Sequence, residues 1–122
     1  MMNYIGLGQH VIENTDPIIF QKGTYLNIGE KYQGVENWND WYFCQTNNHS
    51  GGWVPKQIIH RIDLNYGIAL EDYNATELAV KYGDEVIAIK FLNGWVWCRR
   101  IFDYKEGWVP ENLLIITTNK KI

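Results

Sequence analysis

Short runs of alternating apolar and polar residues, each closed by a turn signal, recur along this chain, while the 3.6-residue period of a helix is weak throughout. Tyr25-Leu26-Asn27-Ile28 alternates and stops at Gly29-Glu30. Leu78-Ala79-Val80-Lys81-Tyr82, stopping at Gly83-Asp84, reads as its counterpart. Asp84 to Lys90 then reads as a half-buried strand that turns at Asn93-Gly94, a strong hairpin signal because both residues tolerate positive φ. Asn39-Asp40 holds the same place earlier in the chain, in weaker form. Trp41-Tyr42-Phe43-Cys44-Gln45 and Trp95-Val96-Trp97-Cys98-Arg99-Arg100 follow these turns as the next strands. The pattern predicts an all-β protein.

The pattern also repeats. Gly-Trp-Val-Pro occurs at residues 52–55 and again at 107–110, and each copy follows an aromatic strand that carries a cysteine, Cys44 or Cys98. Two unrelated features in the same order indicate an internal duplication, which sets the domain reading. The expected units are residues 12–62 and 66–118, joined by Arg61-Ile62-Asp63-Leu64-Asn65-Tyr66-Gly67. That joint is short and partly apolar rather than a flexible Gly/Ser tether, so the units are expected to hold a preferred orientation.

Composition sharpens this. Divided in two, 122 residues give units near the lower limit of independent stability, and six Trp, eight Tyr and four Phe supply much of the apolar area they need. More tryptophan is present than two small cores require, which points to aromatic surface put to use. The net charge is −3, and residues 66–118 carry five Lys or Arg against eight Asp or Glu, compared with four against five in 12–62. Without a basic stripe, nucleic acid is disfavoured as a partner, and a cationic peptide is electrostatically easier. No run approaches the roughly 18 apolar residues of a membrane span. The stretch Met1 to Gly8 lacks the basic and apolar regions of a secretory signal. A reducing, cytoplasmic setting with free thiols is therefore expected.

The second repeat resembles the Src-homology-3 (SH3) domain over residues 68–115. The residues that carry the resemblance are Ala69-Leu70-Glu71-Asp72-Tyr73, Glu77-Leu78, Gly83-Asp84-Glu85-Val86, the strand from Trp95, and Gly107-Trp108-Val109-Pro110-Glu111-Asn112-Leu113. The first repeat is a more degenerate copy, carried by Gly29-Glu30, Trp41 and Gly52-Trp53-Val54-Pro55. The resemblance implies two tandem five-stranded, strongly bent barrels, with a late 3₁₀ turn near Pro110 to Leu113. It also implies an aromatic shelf for extended, proline-rich peptides, with an acidic residue that pairs with an Arg or Lys of the ligand. Carried over, the shelf comprises Tyr73, Trp95, Trp108, Pro110 and Asn112, with Glu77 as the acid. Trp41, Trp53 and Pro55 hold the matching places in the first repeat. Trp95 is expected to face a ligand groove. Glu71 and Leu113 stand where the family has shelf aromatics, so one proline pocket is expected to be shallow or absent.

Other chemistry finds less support. Cys44 and Cys98 sit at corresponding positions and read as small core hydrophobes rather than a disulfide. His10, His49 and His60 show no metal-ligand spacing with either cysteine. Neither a nucleophile with its base nor a phosphate loop is apparent, so no catalysis and no cofactor are expected. The sequence thus reads as a non-catalytic module for a protein or peptide ligand, with no nucleic-acid and no membrane partner. The alternative is a structural or oligomerisation barrel pair whose Trp shelves pack at inter-domain or subunit interfaces.

Overall fold

In a computed structural model, residues 2–12, 15–33 and 40–116 are described; the turn expected at Asn39 lies outside them. The strands are β1 (Met2–Gly6), β2 (Ile19–Phe20), β3 (Tyr25–Lys31), β4 (Trp41–Thr46), β5 (His49–Pro55) and β6 (Ile59–Arg61). They continue with β7 (Tyr66–Ala69), β8 (Tyr73–Asn74), β9 (Glu85–Leu92), β10 (Trp95–Arg100), β11 (Glu106–Pro110) and β12 (Leu114–Ile116). Single 3₁₀ turns at Lys56–Ile58 and Glu111–Leu113 precede β6 and β12. Among the described residues there is no α-helix. The Asn-Gly hairpin forms as its chemistry dictates, with Asn93 at φ 48 and Gly94 at φ 85 between paired Leu92 and Trp95.

The architecture is two five-stranded antiparallel sheets, ordered β5-β4-β3-β7-β6 and β11-β10-β9-β1-β12. They belong to two compact units that divide the chain differently from the linear halves 12–62 and 66–118. A central unit takes residues 16–75, and a terminal unit takes the chain before 16 and after 75. Each sheet draws one strand from outside its own linear segment. β7, which opens the second repeat, pairs with β3 and β6 of the first. β1, ahead of the first repeat, pairs with β9 and β12 of the second.

Local chemistry favours the exchange. Between β6 and β7 the chain makes a tight hairpin rather than a linker. Asp63 Oδ1 accepts from the Asn65 and Tyr66 N–H groups (2.7 and 3.1 Å), and Ile62 N–H donates to the Tyr66 carbonyl (3.0 Å). An aspartate that caps its own turn brings consecutive strands together at little loop entropy. β7 is thereby committed to β6, and the slot in the terminal unit falls to β1.

Sterics then read which strand fits which slot. Gly6 and Ala69 hold corresponding positions. Gly6 donates its N–H to the Asp84 carbonyl and its carbonyl accepts from Gly83 N–H, while Ala69 does the same with Thr24 and Gly23. Two residues back along the strand, Tyr4 faces Val86 where Gly67 faces Leu26. A Cβ on Gly6 would meet the Lys81 carbonyl oxygen at 2.6 Å, and one on Gly67 would strike the His60 carbonyl oxygen. In the unexchanged arrangement Ala69 would face the first obstruction and Tyr4 the second. Each strand carries its glycine where its own slot is tight.

The likeness of the two units extends into their interiors. Leu78, Val80, Val86, Ala88, Val96, Cys98, Val109 and Leu114 form the core of the terminal unit, with Tyr4 and Leu113 packed against it. In the central unit Ile18, Phe20, Leu26, Ile28, Cys44 and Val54 are buried at matching positions. The run from Leu78 to Tyr82 is thus the counterpart of residues 18–22, not of Tyr25 to Ile28, and β9 is the counterpart of β3. Both thiols are free and fully buried, and burial pushes each up to about 12.

Two outcomes follow from this packing. Gly6→Ala and Gly67→Ala should each lower stability by about 1–3 kcal/mol through overpacking, read as a fall in the urea midpoint. A Gly67→Ala chain as stable as the native one would remove the steric account of the exchange. The thiols lose their proton more readily in the unfolded chain, so the stability they lend is complete below about pH 9 and falls as the pH rises towards 12. Native chain at pH 8 should accordingly resist a maleimide that labels it at once in denaturant.

Candidate functional site

The aromatic face of the terminal unit is built on the β10–β11 hairpin. Alternation sends Val96, Cys98 and Val109 inward, where each is fully buried, and turns their neighbours to the other face. On that face the register stacks three cross-strand pairs: Trp95 with Pro110, Trp97 with Trp108, and Arg99 with Glu106. Trp97 and Trp108 meet edge to face, with centroids 5.4 Å apart. Glu106 Oε1 accepts from the Trp97 indole (2.9 Å), and Oε2 accepts from Arg99 Nε (2.8 Å). The Trp97 hydrogen bond, then that of Arg99, holds the Glu106 carboxyl below the usual carboxylate range.

A glycine brings the acid to this face. Gly107 opens the second Gly-Trp-Val-Pro, and a Cβ there would meet the Glu77–Leu78 peptide at 2.7 Å. With only hydrogen at that point, residues 76–78 run against β11. Trp108 N–H donates to the Thr76 carbonyl (2.9 Å) and Leu78 N–H to the Trp108 carbonyl (3.0 Å). Glu77 is thereby fixed as the bridge partner of Trp108. Its carboxylate oxygen Oε1 accepts from His10 Nε2 (2.8 Å), and the His10 ring stands edge-on to Trp95 with centroids 5.7 Å apart.

The structure gathers Glu77, Trp95, Trp108 and Pro110 at one face, with Asn112 exposed in the adjoining 3₁₀ turn. Tyr73 is not among them. It lies in the central unit, against Phe20, and its hydroxyl donates to the Trp53 carbonyl at 3.3 Å. The strand exchange carried it there, and His10 occupies the corresponding position beside Trp95. In the central unit Trp41 pairs with Pro55 and Phe43 with Trp53, and Tyr32 and Phe43 both set an edge against the Trp53 ring. Pro55 is buried. Trp95, expected to line a groove, is only 8% exposed, and Trp41 only 7%. Among the described residues, no group of three His, Cys, Asp or Glu side chains gathers to hold a metal, and no helix is long and apolar enough to cross a membrane.

Trp97, Glu106 and His10 belong to this face although the sequence did not single them out. Alternation from Trp95 gives Trp97, and the hairpin register gives Glu106. His10 had no local signal, because it arrives from 67 residues away.

Residues 66–117 match the variant SH3 domain family, so the C-terminal half of the chain is an SH3 domain of a typically non-catalytic kind. The N-terminal sheet region is not assigned to a family. No curated protein matches the chain. The matched segment begins at β7, so its first strand lies in the central unit and the rest of it in the terminal one.

Removing the Glu106 side chain should cost about 1 kcal/mol, the worth of its two partly exposed hydrogen bonds. Because its carboxyl is held low, that contribution is complete above the ordinary carboxylate range and lost as the pH falls through it. Urea midpoints of Glu106→Ala and the native chain should differ at pH 7 and converge once the pH has fallen below the lowered carboxyl; a difference that persists in acid would assign the loss to packing.

Proposed function

We propose that the chain is a non-catalytic interaction module that takes an extended, cationic or proline-containing peptide across the aromatic face of the terminal unit. The observation that carries this reading is the convergence of Glu77 with Trp95, Trp108 and Pro110, the residue types that an SH3 domain turns to its ligand. An extended segment close to polyproline II loses little entropy on docking, and indole edges can donate to its carbonyls. Glu77 supplies the charge that fixes ligand direction. An affinity in the micromolar range, about −8 kcal/mol, suits a small face of this kind. The two free, buried thiols favour a reducing, cytoplasmic setting for it.

The low exposure of Trp95 and Trp41 favours a second reading, in which the tryptophan faces are structural packing surfaces rather than ligand sites. One experiment separates the two. The indole signals of the ¹⁵N-labelled chain are followed while basic, proline-rich peptides are added. Peptide binding predicts saturable shifts of the Trp95, Trp97 and Trp108 indoles, and roughly tenfold weaker binding for Glu77→Gln. Indoles that stay unmoved at millimolar peptide would decide for the packing reading.

A further inference from the structure

We propose that His10 is the resident occupant of the acidic subsite, and that a ligand reaches Glu77 and Trp95 by displacing it with a guanidinium group. The proposal deepens the peptide-binding reading and rests on it. One side chain engages both halves of the subsite: the imidazole bonds Glu77 Oε1 at 2.8 Å, and its ring stands against Trp95 at 76°. His10 and Glu77 side chains are 14% and 23% exposed, so the contact is shielded but within reach of solvent. The imidazole thereby holds the place that a basic ligand residue would take. It comes from outside the segment matched to the SH3 family, delivered by the exchanged strand.

Displacement needs the side chain alone to move. The His10 backbone is pinned on both sides, donating to the Val80 carbonyl (2.7 Å) and accepting from Val80 N–H (3.1 Å). The ring has somewhere to go, because His10 lines an open cavity of about 460 Å³ together with Gln9, Lys81, Arg100 and Phe102. The displacing group has to satisfy a carboxylate and an indole together. A guanidinium bonds both carboxylate oxygens through its planar fork and lies flat on an aromatic ring, whereas an ammonium is drawn to both groups only as a point charge, without the fork or the stacking plane. The ligand class is therefore an extended segment that bears arginine, with lysine a weaker substitute.

The test measures binding of an arginine-bearing, proline-rich peptide, and of its Arg→Lys form, to the full native chain, His10→Ala and His10→Gln. His10 imidazole ¹⁵N signals are followed in the native titration. The expected result is that the Arg peptide binds more tightly than the Lys peptide and shifts the His10 imidazole at saturation. His10→Ala should tighten binding by roughly tenfold, equivalent to about 1.4 kcal/mol. His10→Gln keeps a hydrogen bond to Glu77 without the ring and should fall between, giving a reading even if the alanine variant folds poorly. Saturable indole shifts with an unmoved imidazole, or a His10→Ala chain that binds no tighter than the native one, would overturn the occupant role and leave the peptide reading standing. Folded variants that bind neither peptide would overturn both.

Discussion

Where β1 and β7 enter their sheets, each strand passes so close to a carbonyl oxygen that a side chain cannot stand between them. Gly6 passes the Lys81 carbonyl and Gly67 passes that of His60. The repeats are alike enough in strand length, core residues and hydrogen-bonding frame that either first strand would find a pleated slot in either sheet. These close approaches break the degeneracy, and the Asp63-capped hairpin commits β7 to the neighbour it has just left. Burial of the two cores depends on that sorting. A strand in the wrong slot would push Tyr4 or Ala69 into backbone, and the ladders beside it would have to open.

The sorting also sets the chemistry of the aromatic face. Had β7 and β8 lain in the terminal unit instead, Tyr73 would have held the place beside Trp95 that His10 takes. The exchange puts an imidazole there and takes the tyrosine to Trp53. Glu77, Trp95, Trp108 and Pro110 are contributed by the segment that matches the SH3 family, and the side chain that bonds Glu77 and stands against Trp95 is not. A fold-level resemblance carries residue types over faithfully and carries partners over only where the connectivity is the same.

Much of the fold was legible because its signals are local. Alternation placed β3, β4, β9 and β10, the Asn-Gly step placed the turn before Trp95, and the repeated Gly-Trp-Val-Pro showed that two sheets were to be built. What alternation cannot say is which strand lies alongside, and two repeats that present the same pattern make the choice invisible. Mistaking residues 78–82 for the counterpart of 25–28 had the same origin, since each is a short apolar run ended by glycine. Of the candidate site, Glu77 and the tryptophans were recognisable from their family pattern. His10 was not, for nothing near it in sequence marks a contact made across most of the chain.

The interleaved connectivity gives β1 and β12 unequal mechanical roles. β12 is held by a single ladder, Tyr4–Ile116, Ile5–Ile115 and Gly6–Leu114. β1 is held by that ladder and by a second one to β9. Parting β12 from the sheet breaks its one ladder and leaves β1 paired with β9. Parting β1 breaks both ladders, which strips β12 of its partner and opens the core of the terminal unit to water.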